Sequence, residues 1–346
     1  MNSSDGKVIV AIATPLEPEL VARIAACDGG LEVRYEPDLL PPMRFSFDHR
    51  GSDGFQRTAE QEVRWQQLLS DAEVVFGLPG ESAQGLAELV RGHPGLRWVQ
   101  ATAGGVGEQV RGARLTGLER DRVLITRAAG VHAGPLAEFA MFGILAFAKQ
   151  LPRLIIDRHA RHWDDRPVSD LAGKFLLVVG LGSVGAEVAR LGHAFGMHVS
   201  GVNRTGRGRV PGVERIRPPR FLGDLLPSAH AVVLALPLTE QTVGMMGAQQ
   251  IDRMRFDAVL VNVGGRRVID ERALIRGLEQ GQPAAAVLDV FPTEPLRSES
   301  PLWQMPQVLI NPHTAALSLQ ENERVVALFT DNLRRYRCGD DLIGRV

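Results

Sequence analysis

The sequence predicts an α/β protein with two doubly wound parallel sheets. Three observations predict it. Short β-rich apolar runs alternate with segments of helical spacing along most of the chain, the pattern of a parallel sheet flanked by helices. The length of 346 residues exceeds one typical core, so two domains are expected. A strand-like FLLVV runs into GLGSVG and then into a helical stretch, which is how a nucleotide-binding βα unit begins.

In chain order, residues 8–13 are apolar and β-rich, and residues 16–26 have helical spacing. Residues 31–35 make a short strand. Residues 36–54, rich in Pro, Phe and Gly, read as a surface excursion. Residues 59–69 are helical, and residues 73–77, 97–101 and 123–126 are strands. A cleaner alternation follows Gly173, with strands at 175–179, 199–202, 231–236, 258–263, 285–290 and 308–311. Six such strands match a doubly wound, Rossmann-type sheet. Residues 317–336 have helical spacing again. No internal repeat or low-complexity tract is visible.

Composition narrows the function classes. The chain is 45% apolar and 23% charged, as soluble globular proteins are. With 39 Lys and Arg against 40 Asp and Glu, the net charge is −1, which gives no electrostatic case for nucleic acid or an anionic membrane. Cys27 and Cys338 lie far apart without metal-type partners. They read as free thiols of a reducing compartment, and no metal site is expected. The start, MNSSDGKVIVAIA, has neither the basic region nor the long apolar core of a signal. PLAEFAMFGILAFA contains Glu138 and is too short to span a bilayer. It reads as a buried helix between domains or subunits, and a cytoplasmic protein is expected.

In GLGSVG, Gly180 permits a tight turn, Gly182 lets the backbone approach a pyrophosphate, and Gly185 lets the helix pack on the strand. The helix N-terminus then offers free N–H groups and partial positive charge to the phosphates. At the end of the next strand an NAD site has an acidic residue that accepts from the ribose 2′-OH. This chain has Asn203 there, followed by Arg204, Arg207 and Arg209. A neutral amide removes the charge that repels a 2′-phosphate, and Arg204 can bind one. NADP(H) is the preferred cofactor and NAD(H) the alternative, in which the arginines are a solvated loop.

Further motifs follow in order: LAGKFLLVVGLGSVG, AVVLALPLTEQT, LVNVGGRRVIDERAL, AVLDVFPTEPL, SPLW and INPHTAA. From about Trp98 onward the chain resembles the D-2-hydroxyacid dehydrogenases, the family of phosphoglycerate dehydrogenase and the glyoxylate/hydroxypyruvate reductases. The resemblance implies a split substrate domain, residues 1–127 with 314–346, and a dinucleotide-binding domain, residues 128–313. The two are joined by two crossings, with the active site in the cleft and the crossing helix packing in a homodimer. It places Ser183, Val184, Leu236, Pro237, Thr242, Val263 and Gly264 among the cofactor contacts. Asp289 falls at the position that meets the nicotinamide end; a plain strand-end cap is its alternative role.

Reducing a 2-keto acid needs a hydride donor, a proton donor at the ketone oxygen and a cation for the carboxylate. His313, in INPHTAA, is the proton donor expected, since imidazole titrates near neutrality. Glu294, in FPTEP, is its expected hydrogen-bond partner and favours its protonated form. Eight other histidines occur, and only the motif context singles out His313.

Three departures from the family pattern stand out. The register of Asn262 and Asp270 puts Gly265 at the catalytic arginine position, and Arg266 one residue on. Neighbouring side chains in extended backbone point to opposite faces, so Arg266 is expected to point away unless the two glycines let the loop refold. In ATAGGVG, Gly107 replaces a polar residue, leaving the Gly104 and Gly105 amides as carboxylate donors. His132, in GVHAG, has a functional and a structural reading side by side.

These residues describe a reductase acting on a 2-keto acid or related carbonyl compound through an atypical clamp. Two other classes share the fold: a cofactor-binding regulatory module, and a non-redox enzyme using His313 and Glu294.

Overall fold

The structure is a computed structural model and describes residues 7–45, 48–52 and 54–346. The first six residues of the start and residues 46, 47 and 53 of the 36–54 excursion lie outside the described residues. The chain divides into two compact units, Met1–His132 with Leu317–Val346, and Ala133–Ala316. It passes from one to the other twice.

The first unit holds strands β1 (Val8–Ile12), β2 (Leu31–Arg34), β3 (Val74–Phe76), β4 (Trp98–Gln100) and β5 (Leu124–Thr126). They form one parallel sheet in the order β2-β1-β3-β4-β5. Successive side chains enter cores on opposite faces: Ala11, Val75 and Val99 on one, Val10, Ile12, Val74, Phe76 and Trp98 on the other. The C-terminal helix Glu321–Cys338 covers the second face. Its Phe329 ring lies 4.8 Å from Phe76 and 5.1 Å from Trp98, centroid to centroid. A buried polar network fastens it: Trp98 Nε1 donates to Thr126 Oγ1, and Thr126 Oγ1 and Asn332 Nδ2 both donate to Gln100 Oε1. Each polar group that lost water there has a partner, which burial requires. The 36–54 excursion is not wholly a surface feature, because Leu39 and Leu40 are buried in the core.

The second unit holds β6 (Phe175–Val179), β7 (His198–Val202), β8 (Arg215–Arg217), β9 (Ala231–Leu234), β10 (Val259–Asn262), β11 (Ala285–Leu288) and β12 (Val308–Ile310). The order is β12-β11-β10-β9-β6-β7-β8, parallel throughout. One strand more is present than the sequence predicts. The additional β8 reads RIR, an edge strand with Arg215 and Arg217 exposed, and charged ends hide a strand of this length from a hydrophobic pattern. The central strands are buried on both faces, so they read as continuous apolar runs.

The order reverses between β6 and β9 in this sheet and between β1 and β3 in the other. Ligands of doubly wound sheets bind beyond the carboxyl ends of strands at such reversals. The apolar helix Ala133–Ala148 packs on the second sheet, where a Cβ on Gly143 would lie 2.6 Å from the Val287 side chain. No single helix among the described residues is long and apolar enough to cross a membrane.

Candidate active site

The glycine loop follows β6 at the reversal. Gly180 has φ +97°, and a Cβ there would meet the Ala235 carbonyl oxygen at 2.7 Å. A Cβ on Gly185 would meet the Gly180 carbonyl oxygen at 1.8 Å. Both glycines are therefore required by the fold itself. Gly182 differs: a Cβ there would meet nothing within 4 Å. It is the N-cap of the helix Ser183–Ala194 and provides no side-chain cap. The first amides of that helix, including those of Ser183 and Val184, have no intrahelical acceptor. This open, uncapped and locally positive end fits the pyrophosphate of a dinucleotide.

At the end of β7, Asn203 folds its own loop. Its Oδ1 accepts from the Gly206 amide at 2.7 Å and the Thr205 amide at 3.2 Å, and its Nδ2 donates to the Arg207 carbonyl at 2.8 Å. The amide side chain is thus committed to a turn, while Arg204, Arg207 and Arg209 remain exposed. The loops after β9 and β10 are zipped together backbone to backbone. The Gly265 amide donates to the Leu236 carbonyl at 2.9 Å, and a Cβ on Gly264 would lie 2.6 Å from that same oxygen. Val263 is buried beside them. Thr242 closes the turn with its hydroxyl on the Pro237 carbonyl at 2.7 Å.

Glu294, His313 and Arg266 converge. His313 Nδ1 lies 2.9 Å and Arg266 Nη2 3.0 Å from Glu294 Oε2, while Oε1 accepts from the Phe291 amide at 3.0 Å. Burial raises the Glu294 carboxyl, but the hydrogen bonds of His313 and Phe291 and the charges of His313 and Arg266 carry it below its ordinary value. An ionised carboxylate only accepts, so Nδ1 carries the proton toward it and Nε2 faces outward. The backbone of His313 is left-handed, φ +56°. Such a conformation costs energy in a non-glycine residue and persists only when its surroundings enforce it. Asp289 does so: its buried Oδ1 accepts from Asn311 Nδ2 and from the Ala315 amide, bracketing His313.

The expected orientation of Arg266 is corrected here. Residues 266 and 267 are in a turn, closed by the Val268 amide on the Gly265 carbonyl at 3.3 Å. The alternation of extended backbone therefore does not apply, and Arg266 reaches the Glu294 carboxylate. Gly265 holds no vacancy for a side chain, because a Cβ there would lie 2.8 Å from the Leu238 amide nitrogen. Asp270 caps the next helix, its Oδ1 accepting from the Ala273 amide at 3.1 Å.

Gly104, Gly105 and His132 belong to the first unit. Among the described residues neither the Gly104 nor the Gly105 amide donates a hydrogen bond, and Gly105 is exposed. His132 Nε2 is tied to Glu321 Oε1 at 2.9 Å, which favours its structural reading. Sequence reasoning passed over Glu81, Leu238 and Asn311. Only a Pro-Gly turn marks Glu81, and nothing in the sequence marks the contact of Leu238 with Gly265.

Two parallel α/β sheets, with an open phosphate cradle at the reversal of the second, define a dinucleotide-binding protein. The model of the D-isomer specific 2-hydroxyacid dehydrogenase NAD-binding domain matches residues 141–315. The glyoxylate reductase of Korarchaeum cryptofilum is 32% identical over 229 residues, covering 63% of this chain and 67% of that protein. Glyoxylate/hydroxypyruvate reductase B of Klebsiella pneumoniae strain 342 is 32% identical over 295 residues, 82% of this chain and 89% of that protein. The crystal structure of a D-isomer specific 2-hydroxyacid dehydrogenase from Xanthobacter autotrophicus Py2, in complex with NADPH and MES, is 26% identical. It superposes with a TM-score of 0.76 over 99% of this chain and 98% of that one. The chain belongs to the D-isomer specific 2-hydroxyacid dehydrogenase family, whose members are NAD(P)-dependent oxidoreductases.

Proposed function

We propose that the protein is an NADPH-dependent reductase of small 2-keto acids of the glyoxylate and hydroxypyruvate type, with Arg266 as its displaced carboxylate clamp. The observation that carries this reading is the convergence of Arg266 and His313 on one Glu294 oxygen. A cation and a proton donor on one carboxylate are the two groups that reduction of a 2-keto acid demands of the protein. When bound, the nicotinamide supplies the hydride. His313 Nε2 gives a proton to the ketone oxygen as negative charge develops there. Glu294 orients the imidazole through its contact with Nδ1. Arg266, exposed and paired with Glu294, exchanges part of that contact for the substrate carboxylate.

The amides of Gly104 and Gly105 are anion donors in the same reading. The amides of Ser183, Val184 and Gly185 hold the pyrophosphate, with Leu236, Pro237, Thr242, Val263 and Gly264 shaping the loops beside it. Asp289 acts by fixing the His313 loop. Arg204 takes the 2′-phosphate, which Asn203 no longer repels. Exposed Leu154, Ile155, Ile156 and Trp163 support a homodimer, because a second copy would take this apolar surface out of water.

The test is NADPH oxidation by the purified protein over glyoxylate, hydroxypyruvate, pyruvate and simple aldehydes. Turnover of the keto acids that disappears in Arg266→Ala supports the reading. Equal turnover of aldehydes lacking a carboxylate would remove the clamp from it.

A further inference from the structure

The second sheet has a cavity of about 200 Å³ at the amino ends of β6, β9, β10 and β11, wholly within the second unit. The five residues of β6, roughly 17 Å of strand, separate it from the glycine loop, so it is no part of the nucleotide cradle. Its floor is apolar: Ile144 of the helix Ala133–Ala148, Met197, Ala231, Val259 and Ala285 are all buried. Its polar groups come from the short segments that lead into the strands: Lys174 before β6, His230 before β9 and Asp257 before β10.

Phe175 fixes the His230 ring. Its backbone amide donates to His230 Nδ1 at 3.2 Å, and its own ring stacks on the imidazole with 6.1 Å between centroids and 15° between planes. A nitrogen that accepts carries no proton, so Nε2 holds the hydrogen of the neutral ring. Burial first, then the charges of Arg255 and Lys174, lower the His230 pKa against the pull of Asp257, which favours that neutral form. The acids at the cavity are already matched. Asp257 accepts from Arg255 at 2.6 and 2.9 Å, and Asp170 pairs with Lys149 at 3.2 Å with 85% of its side chain in water. Lys174 has no carboxylate partner among the described residues. An ammonium and an N–H therefore stand at the cavity wall without an acceptor.

We propose that this cavity binds a small carboxylate with an apolar, ring-sized body, held by the Lys174 ammonium and the His230 Nε2–H. The walls select that class. A cavity of this size takes a benzene-sized body, and the apolar floor favours removing one from water. Two donors match the two oxygens of a carboxylate. A phosphate would bring further oxygens against the apolar floor and the Asp257 carboxylate, where nothing compensates their lost water. A neutral ring would leave Lys174 without a counter-charge. The site is independent of the reductase chemistry proposed above.

The experiment titrates benzoate, benzamide and inorganic phosphate into the full chain saturated with NADPH, by calorimetry. Benzoate should bind once per chain, benzamide roughly tenfold or more weakly, the loss expected when a charged hydrogen bond is removed, and phosphate not at this site. Arg266 could also attract a carboxylate, so the titration is repeated in Arg266→Ala, where benzoate binding should persist. Lys174→Met keeps the stem, removes the charge and should weaken benzoate by roughly tenfold or more. His230→Phe keeps a stacked ring, removes the donor and should weaken it as well. Ala284→Trp, at an exposed position on the rim, fills the cavity without touching either donor and should abolish binding. It keeps the test decisive if Lys174→Met is unstable. Benzoate binding that disappears in Arg266→Ala yet is untouched in Lys174→Met and Ala284→Trp overturns the proposal, as do equal affinities for benzoate and benzamide or no saturable binding of benzoate.

Discussion

Arg266 and His313 share a single carboxylate oxygen: Glu294 Oε2 lies 3.0 Å from Arg266 Nη2 and 2.9 Å from His313 Nδ1. Arg266 follows the Gly264–Gly265 pair, and its guanidinium reaches the same carboxylate as the imidazole. Arg266→Ala should lower kcat/KM for glyoxylate by at least about tenfold to a hundredfold, the loss expected for a charged hydrogen bond of about 1.5–3 kcal/mol. Arg267→Ala should change it little. Steady-state kinetics on both variants decides the matter, and equal losses would count against Arg266.

Gly265→Arg should not supply a carboxylate clamp. The new Cβ would lie 2.8 Å from the Leu238 amide nitrogen and 3.0 Å from its Cα, so the loops after β9 and β10 must separate. A fall in thermal midpoint without any gain in glyoxylate reduction is expected. A stable variant with higher activity would show that the loop refolds easily.

His313→Ala should lower kcat by roughly 10²–10⁴ while the protein stays folded, the usual contribution of a positioned proton donor. Glu294→Gln removes the charge on which the imidazole and the guanidinium converge. It should lower kcat/KM for glyoxylate, and adding Arg266→Ala in that background should cost less than Arg266→Ala costs alone. Fully additive losses would exclude the coupling.

Cofactor preference should follow Arg204. NADPH should bind roughly tenfold or more tightly than NADH, and Arg204→Ala should erase most of that ratio. Fluorescence titration with both cofactors measures it. Equal affinities in the wild type would leave the exposed arginines as a solvated loop.

The glycine loop separates folding from binding. Gly185→Ala places a Cβ 1.8 Å from the Gly180 carbonyl oxygen and should destabilise the second unit, measurable in denaturant without any nucleotide. Gly182→Ala meets no protein atom within 4 Å. It should fold normally and lose nucleotide affinity, because the methyl group enters the pyrophosphate cradle.

Glu81 should make stability depend on pH. Its folded value, raised to about 7, lies above the unfolded 4.5. Between those values the unfolded chain releases the proton and the folded protein keeps it, so stability falls as pH rises through the window and stays lower above it. Glu81→Gln should therefore stabilise the protein by about 1–3 kcal/mol at pH 8 and leave it unchanged near pH 4. Denaturant midpoints at the two pH values test the sign.

Much of the fold is legible in sequence because it rests on local pattern. Buried parallel strands appear as apolar runs, and the strand-glycine-helix order of GLGSVG places the phosphate loop. Asp270 announces its helix by capping chemistry. The family motifs pair Glu294 with His313, 19 residues apart. Only the tertiary structure decides the rest. β8 escapes notice because two exposed arginines flank its single apolar residue. The direction of Arg266 depends on a turn and on the approach of Leu238 to Gly265, contacts between segments that no local pattern encodes. Asn203 loses its freedom to the amides of its own loop, and Glu81 gains its character from burial beside Thr102, 21 residues away in sequence. Residue type and spacing determined which chemistry the chain carries. Where each charged group points, and how tightly it holds its proton, was set by long-range packing, since desolvation and hydrogen bonding act through space and not along the chain.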